Sequence, residues 1–315
     1  MECKQAFTVE NLHFSYGKDK EVLHGISLDI PAGKITGILG ANGCGKSTLL
    51  RVLAGNEKGW KGSIQLYGKD VSAMTLRDYA KSIAVVHQKN EAPPDRTVAE
   101  IVLAGRTPYR CPLQFGYSPK DRQIAESVLQ EMELTGLSQR KISALSGGQM
   151  QRVWMAMALA QDTEILLLDE ITTYLDIHYQ LEFMHLIRRL NRTMHKTEVM
   201  VLHDINQAME YCDYLIIMKD GQVLAQGNTQ EIITEELLET AYGIQVHMMQ
   251  DEHGSHCRFS LDLQGKKRKE EEKQHEETHH QIWHRQTDRR CSGDVGRHRG
   301  HFRHGHADHK ESTVG

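Results

Sequence analysis

Short apolar runs alternate with amphipathic helical patterns over most of the chain. Four runs are continuous and apolar, as expected of parallel strands that are buried on both faces. They are residues 34–40, 82–87, 165–169 and 198–203. Residues 7–16 and 22–30 alternate instead between apolar and polar positions, which indicates an antiparallel sheet with one solvated face. The pattern predicts an α/β fold in which helices cover the faces of a sheet.

A block between about residues 89 and 161 has helical spacing. Thr97 is the predicted N-cap of a helix over residues 98–104, and residues 120–132 place apolar side chains at the period of a helix. Because this block interrupts the strand pattern, we expect a helical subdomain inserted into the sheet domain.

The chain changes character near Leu263. Residues 265–315 carry 12 Lys and Arg against 9 Asp and Glu, a net charge of +3, so that residues 1–264 carry −7 and the whole chain −4. Eleven of the 19 histidines lie at or beyond His253, and large apolar residues become rare. Such a segment buries too little surface to offset its ordering entropy. We therefore predict a folded domain over residues 1–264 and a disordered, His-rich tail over residues 265–315.

The composition also limits the cellular compartment and the partners of the protein. The longest apolar run, residues 153–160, is much shorter than the roughly 20 residues of a membrane-spanning helix, and the first residues contain no apolar signal segment. Six cysteines are scattered without a paired spacing, which favours a reducing compartment. The acidic balance of residues 1–264 argues against a nucleic-acid partner. These features predict a cytosolic protein without a membrane span.

The strongest local motif is a glycine-rich loop between an apolar run and a helical pattern. Residues 40–48 match the phosphate-binding pattern G-x-x-x-x-G-K-[ST]. In such a loop the backbone N–H groups and the helix N-terminus attract polyphosphate, Lys46 reaches the β- and γ-phosphate oxygens, and the Ser47 hydroxyl binds Mg²⁺. The predicted nucleotide-binding residues here are Gly40, Asn42, Gly43, Cys44, Gly45, Lys46, Ser47 and Thr48.

Two acidic residues end the apolar run at residues 165–169. Asp169 is the candidate second ligand of Mg²⁺, which prefers oxygen donors. Glu170 follows it directly and is expected to point in a different direction, because successive strand residues face opposite sides. We predict that Glu170 is the general base that activates the attacking water.

A Leu-Ser-Gly-Gly-Gln sequence at residues 145–149 precedes a helical pattern over residues 150–160. Ser146 is a candidate N-cap, and Gly147 and Gly148 would let the backbone approach an anion, although a plain capped turn also explains Ser-Gly-Gly alone. After a phosphate loop, the pentapeptide, including Gln149, resembles the signature of ATP-binding cassette (ABC) ATPases. The resemblance implies a phosphate-loop NTPase core with an antiparallel β subdomain and an inserted α-helical subdomain.

Four further positions follow the order of that family. The resemblance implies that Tyr16 stacks on adenine, that Gln88 acts in catalysis and at the Mg²⁺ ion, that Asp176 lies in the loop beside the nucleotide, and that His203 bridges to the γ-phosphate. Each of three residues has an alternative interpretation. Tyr16 would otherwise be an edge aromatic, Gln88 a solvated strand cap, and His203 a hydrogen-bonded histidine at a strand end.

The resemblance also implies how ATP is bound and hydrolysed. Two copies would meet head to tail, so that the signature turn of one covers the ATP on the phosphate loop of the other. Catalysis would rest on positioning and charge stabilisation by Lys46, Mg²⁺, Glu170 and His203. Ile171 stands where the family usually has proline, and the loss of a fixed φ predicts a less preorganised Glu170.

Residues 91–109 and 172–180 resemble the ATPases of bacterial importers for ferric siderophores, haem and cobalamin. This implies an ATP-hydrolysing subunit that lies peripherally on the cytoplasmic side of the inner membrane. It would bind membrane permease subunits through residues 91–110, and a substrate-binding protein would act with it indirectly.

Three other functions stay open at this point. A soluble ABC ATPase not coupled to transport usually carries two cassettes, whereas this chain has one phosphate loop and one signature. A non-hydrolytic ATP clamp is disfavoured by the presence of Glu170 and His203. A metal-responsive ATPase would use histidines of the tail as flexible ligands, although their spacing matches no structural metal site.

Overall fold

The computed structural model describes residues 4–17, 20–88, 90–111, 116–171, 176–251 and 254–260. The strands are β1 (Gln5–Ser15), β2 (Glu21–Pro31), β3 (Ile35–Gly40), β4 (Lys61–Leu66), β5 (Lys69–Asp70), β6 (Ile83–Val86), β7 (Ile165–Asp169), β8 (Thr197–Val201), β9 (Tyr214–Lys219), β10 (Gln222–Asn228), β11 (Gln245–Asp251) and β12 (Gly254–Ser260). The α-helices are α1 (Lys46–Leu53), α2 (Leu76–Ser82), α3 (Val98–Ala104), α4 (Pro119–Glu131), α5 (Gly147–Ala160), α6 (Ile177–Met194), α7 (Ile205–Tyr211), α8 (Thr229–Ile232) and α9 (Glu235–Tyr242). Short 3₁₀ turns cover Val71–Ala73, Thr107–Tyr109, Thr135–Leu137 and Ile142–Ala144.

Two main sheets and one hairpin form the β-structure of the described residues. The central sheet has the order β10-β9-β3-β8-β7-β6, in which all neighbouring strands are parallel except β9 and β10. A second sheet, β2-β1-β4-β5, is antiparallel, and β11 pairs with β12 in an antiparallel hairpin. This mixture of a parallel core sheet and an antiparallel sheet confirms the predicted α/β class.

The central sheet is packed on both faces. In β7, Leu166 and Leu168 join a core made mainly with the helices, whereas Ile165 and Leu167 join a core shared with α1 and the antiparallel sheet. This alternation is the period of two expected for a strand. All five residues of β7 are buried, so the strand contains no solvated position that would interrupt its apolar run.

The helices between β6 and β7 start at strong capping signals. Thr97 and Glu100 form a capping box at α3, and Ser118 and Asp121 form another at α4, each satisfying N–H groups that lack a partner inside the helix. Asp121 also receives a hydrogen bond from Arg106 Nε at 2.9 Å, with both side chains buried. The pair fixes the end of α3 against the start of α4.

Most sequence predictions of elements agree with these bounds. The strands predicted at residues 34–40, 82–87 and 198–203 are present but shorter, and the one at 165–169 has the predicted bounds. The helix predicted from residue 150 begins at Gly147, because the cap at Ser146 starts it earlier. The predicted tail lies outside the described residues and stays a prediction. No helix in the described part of the chain is long and apolar enough to cross a bilayer.

Candidate active site

The phosphate loop connects β3 to α1 through three glycines with positive φ. These are Gly40 (148°), Gly43 (81°) and Gly45 (104°). A Cβ on Gly40 would lie 2.2 Å from the carbonyl oxygen of Met218, so this position admits only glycine. Gly45 is the N-cap of α1 and has no side chain to bond the first N–H groups of the helix. These N–H groups and the helix dipole are suited to binding an anion.

Lys46 carries the positive charge of the loop. Its side chain is buried, and Nζ donates to the carbonyl oxygens of Gly40 at 2.8 Å and Ala41 at 3.0 Å. The ammonium is therefore held within the loop that the glycines form. Phosphate oxygens are acceptors of the same kind with more negative charge, which makes this ammonium suited to a polyphosphate.

Glu170 is the meeting point of three predicted site residues. Its carboxylate accepts a hydrogen bond from Gln88 Nε2 at 2.7 Å and from the Ser47 hydroxyl at 3.4 Å. His203 Nε2 lies 3.2 Å from the same carboxylate and donates to it when this nitrogen carries the hydrogen. The structure thus brings Ser47, Gln88, Glu170 and His203 together from four separate segments.

The backbone turns sharply at Glu170. The residue lies one position beyond β7 and has φ 49°, a left-handed conformation that is uncommon outside glycine. The turn directs the Glu170 side chain away from that of Asp169. The two were expected to diverge because strand residues alternate, and this reason is wrong because Glu170 lies outside the strand. Ile171, which follows the turn, is buried in the core that the helices form.

Asp169 ends β7 with a buried carboxylate. Burial raises the pKa of Asp169, and the nearby Ser47 hydroxyl opposes this rise. Oδ1 is buried and makes no hydrogen bond, while Oδ2 lies 4.0 Å from Arg51 Nε. A buried carboxylate oxygen without a partner is costly, and a cation ligand would satisfy it.

The predicted signature residues form the start of α5. Ser146 Oγ accepts from Gln149 N at 3.4 Å, and Gln149 Oε1 accepts from Ser146 N at 3.1 Å, which makes a capping box. Ser146 and Gly147 are exposed, whereas a Cβ on Gly148 would lie 3.1 Å from the Tyr179 ring. Gly148 therefore lies close against the Tyr179 ring, and Ser146 and Gly147 present a polar surface to solvent.

The remaining predicted residues make contacts of their own. Tyr16 is 44% exposed, packs edge-on against Phe14 and donates to Glu57 at 3.3 Å. Asp176 is exposed and caps α6 by accepting from Tyr179 N at 3.1 Å. In the phosphate loop Asn42 is exposed and Cys44 buried, and Thr48 is half-buried in α1.

Sequence reasoning missed two residues that support this site. Tyr242 Oη accepts a hydrogen bond from Gly40 N at 3.0 Å, and burial raises the pKa of Tyr242 to about 12, so the hydroxyl stays neutral. Arg51 places its guanidinium near Asp169. Arg51 lies five residues after Lys46 in α1, a spacing that does not place two side chains on one helix face, so no helical pattern marks it. No local signal marks Tyr242, because it is 202 residues away from Gly40.

Comparisons with known proteins agree with this geometry. Residues 23–173 match the ABC transporter domain family. The chain is 41% identical over 247 residues to the iron(3+)-hydroxamate import ATP-binding protein FhuC of Bacillus subtilis strain 168, covering 78% of this chain and 91% of that protein. It is 40% identical over 242 residues to the ferric enterobactin transport ATP-binding protein FepC of Escherichia coli strain K12, covering 77% and 89%.

Solved structures are similar over the same region. A structure described as an inward-facing metal-chelate type ABC transporter matches with a TM-score of 0.70 and 30% identity, covering 82% of this chain and 97% of that chain. A nucleotide-free ATP-binding cassette matches with a TM-score of 0.65 and 25% identity, covering 75% and 94%. With a phosphate loop, a signature turn and an acidic strand end in one fold, this chain belongs to the ABC transporter ATP-binding proteins, which hydrolyse ATP.

Proposed function

We propose that this chain is the ATP-hydrolysing subunit of an importer for ferric siderophores. One observation supports the proposed ATP hydrolysis above all others. The Glu170 carboxylate is in contact with Ser47, Gln88 and His203 beside the phosphate loop. The proposed cargo rests on the relatives, because FhuC is an iron(3+)-hydroxamate import ATP-binding protein and FepC is a ferric enterobactin transport ATP-binding protein.

The residues present suit a magnesium ion. Ser47 offers a hydroxyl oxygen, and Asp169 offers a buried carboxylate oxygen that lacks a hydrogen bond. Hard oxygen donors of this kind are the ligands that Mg²⁺ prefers, and Gln88 could add its amide oxygen. When bound with ATP, Mg²⁺ neutralises charge on the β- and γ-phosphate oxygens.

The protein groups then have separate tasks. Lys46 and the N–H groups at the start of α1 bind the phosphates and stabilise the charge that develops on them. Glu170 orients a water molecule and removes its proton, and His203 holds the carboxylate and reaches the γ-phosphate. Because Gln88 donates to the other oxygen of Glu170, a shift of Gln88 would change the orientation of the base.

Two surfaces support the proposed partners. Ser146 and Gly147 are exposed at the N-terminus of α5, where a second copy would place its ATP. A cavity of about 600 Å³ lies between α2, the end of α3 and α5, lined by Leu76, Ala104, Pro108 and Gln161 among others. Leu76 is 74% exposed there, and this apolar groove would receive a helix of the permease.

The catalytic assignment is tested by Glu170→Gln in the full-length protein. Removing a general base is expected to slow ATP hydrolysis by at least about 100-fold while ATP binding is kept. Glu164→Gln is the matched control, because Glu164 is exposed and remote in sequence from the loop. Equal turnover in wild type and Glu170→Gln would refute the assignment of the base.

The dimer is tested by crosslinking across chains. Asn42→Cys and Gly147→Cys place thiols on the two exposed loops, in a background where Cys3, the exposed Cys111 and Cys291 are changed to Ser. With ATP trapped by Glu170→Gln, a bismaleimide should join the two positions between protomers. Crosslinking that is absent with trapped ATP would refute the head-to-tail arrangement.

The cargo is tested separately in cells. The chain should restore uptake of a radioactive ferric hydroxamate in a strain that lacks the ATP-binding subunit of its own hydroxamate importer, and Glu170→Gln should not. Normal expression and ATPase activity without uptake would contradict the proposal that the chain serves a ferric-siderophore importer of this kind, and would leave the ATPase assignment intact.

A further inference from the structure

Three sulfur atoms converge where the C-terminal hairpin packs on α7. Cys257 Sγ of β12 lies 3.2 Å from Met248 Sδ of β11 and 3.5 Å from Met209 Sδ of α7. Cys257 is 5% exposed, and both methionines are partly buried. The three donors come from three different elements, so the tertiary fold brings them together.

The backbone on both sides of this sulfur cluster (Met209, Met248 and Cys257) is held by polar side chains. Asn206 Oδ1 accepts from Cys257 N at 2.7 Å, and Asn206 Nδ2 donates to Cys257 O at 3.2 Å. Glu235 Oε1 accepts from Met248 N at 2.6 Å. Hydrogen bonds that fix the ligand-bearing backbone are a regular feature of metal sites.

We infer that the sulfur cluster is a binding site for a soft monovalent cation, Cu⁺. Thiolate and thioether ligands select Cu⁺ over the harder ions that prefer oxygen and nitrogen. The carboxylate of Glu235 on the neighbouring helix α9 accepts from Met248 N and would attract a cation. Burial, and then this carboxylate, raise the pKa of the Cys257 thiol, so the ion has to displace the thiol proton.

The spacing suits a three-coordinate ion. Three sulfurs that each lie about 2.3 Å from one ion stand about 4 Å from each other. The observed separations of 3.2 Å and 3.5 Å need only a small opening, which the three rotatable bonds of methionine allow. On binding, the Cys257 thiol releases its proton to solvent and its sulfur donates an electron pair to Cu⁺, with no change of oxidation state.

Binding would fasten the hairpin to the helix that follows His203. Met209 lies in α7, which begins two residues after His203 and is capped by Asp204. Met248 and Cys257 lie in β11 and β12. An ion held by all three therefore joins the C-terminal hairpin to a helix that adjoins the candidate active site.

The test is an anaerobic titration of the full-length protein against Cu⁺ held by bicinchoninate. Wild type should remove one more equivalent of Cu⁺ from bicinchoninate than the double variant Met209→Leu/Met248→Leu does. If both proteins remove that equivalent, wild type should bind it at least tenfold more tightly. Leucine keeps the apolar volume of methionine, so the variant should fold. Both proteins keep residues 252–315 unchanged, so Cu⁺ bound by the histidines there contributes equally to both.

A control and a second measurement make the result specific. Met249→Leu changes an exposed neighbour on the opposite face of β11 and should bind as wild type. Hydrogen exchange of the amides in β11 and β12 should slow with Cu⁺ in wild type and Met249→Leu only, and Cys257→Ser should abolish the effect. Equal Cu⁺ withdrawal by wild type and the double variant, or unchanged exchange in the hairpin, would overturn the inference.

Discussion

Glu198 makes the stability of this protein depend on pH. The residue lies in β8 between β3 and β7, is fully buried, and neither of its carboxylate oxygens makes a hydrogen bond. Burial raises the pKa of Glu198 to about 9, opposed in part by the positive charge of Lys196. The native protein therefore keeps this carboxyl protonated at a pH at which the unfolded chain has lost the proton.

The sign of the effect follows from this difference. The stabilising contribution of the protonated form is fully present below the unfolded pKa, near 4.5, and is lost as the pH rises toward 9. Each pH unit in this window changes the free energy of unfolding by about 1.4 kcal/mol. Between pH 4.5 and neutral pH the carboxyl alone lowers stability by about 3 kcal/mol.

Glu198→Gln removes the titration and nearly keeps the shape. Urea unfolding at about pH 5.5 and about pH 7.5 should show the variant gaining about 3 kcal/mol relative to wild type across these two units. The absolute offset is less informative, because a buried amide without partners also costs about 1–3 kcal/mol. Glu164→Gln, an exposed change directly before β7 and next to the start of β8, should follow wild type at both values. Parallel pH profiles for Glu198→Gln and wild type would refute the burial of an uncharged carboxyl.

Three further changes test the supports of the site. Gly40→Ala should abolish ATP binding in a filter assay, because its Cβ would meet the Met218 carbonyl, and tight binding would contradict the loop geometry. Arg106→Met leaves Asp121 buried without its partner and should cost about 3–5 kcal/mol in urea unfolding; a loss below about 1 kcal/mol would mean that the pair is solvated. Tyr242→Phe leaves Gly40 N without its acceptor and should lower stability by about 1–3 kcal/mol and weaken ATP binding, so wild-type behaviour in both assays would exclude this role.

The fold was most predictable where one physical pattern acts alone. The strand β7 was predicted with its observed bounds, because a strand buried on both faces forms a continuous apolar run, here residues 165–168, and the acidic Asp169 marks its end. The start of α5 was placed three residues late, since glycines in the first turn weaken the helical pattern and the Ser146–Gln149 capping box compensates for them. The hairpin of β11 and β12 was not predicted, because its strands mix polar and apolar residues in no strict alternation.

The candidate site shows a similar division. The phosphate loop and the signature turn are contiguous in sequence, so their motifs could be read directly. Contacts that join distant segments could not, and Tyr242 on Gly40 is one of these. The turn at Gly221 is another, because it donates to Cys44 O at 3.0 Å and accepts from His24 N at 2.9 Å, which supports the back of the phosphate loop. Tyr242 and Gly221 do not stand in any motif or regular spacing that would indicate a role in the site.

Strand order explains why the predicted residues meet at Glu170. The carboxyl ends of parallel strands lie at one edge of a sheet, and β7 lies between β8 and β6. The loop after β7 carries Glu170, the loop after β8 carries His203, and the loop after β6 carries Gln88, so the base is flanked by one donor on each side. Because β6 is the edge strand of this sheet, Gln88 is the member of this group whose strand lies farthest from β3 and the phosphate loop.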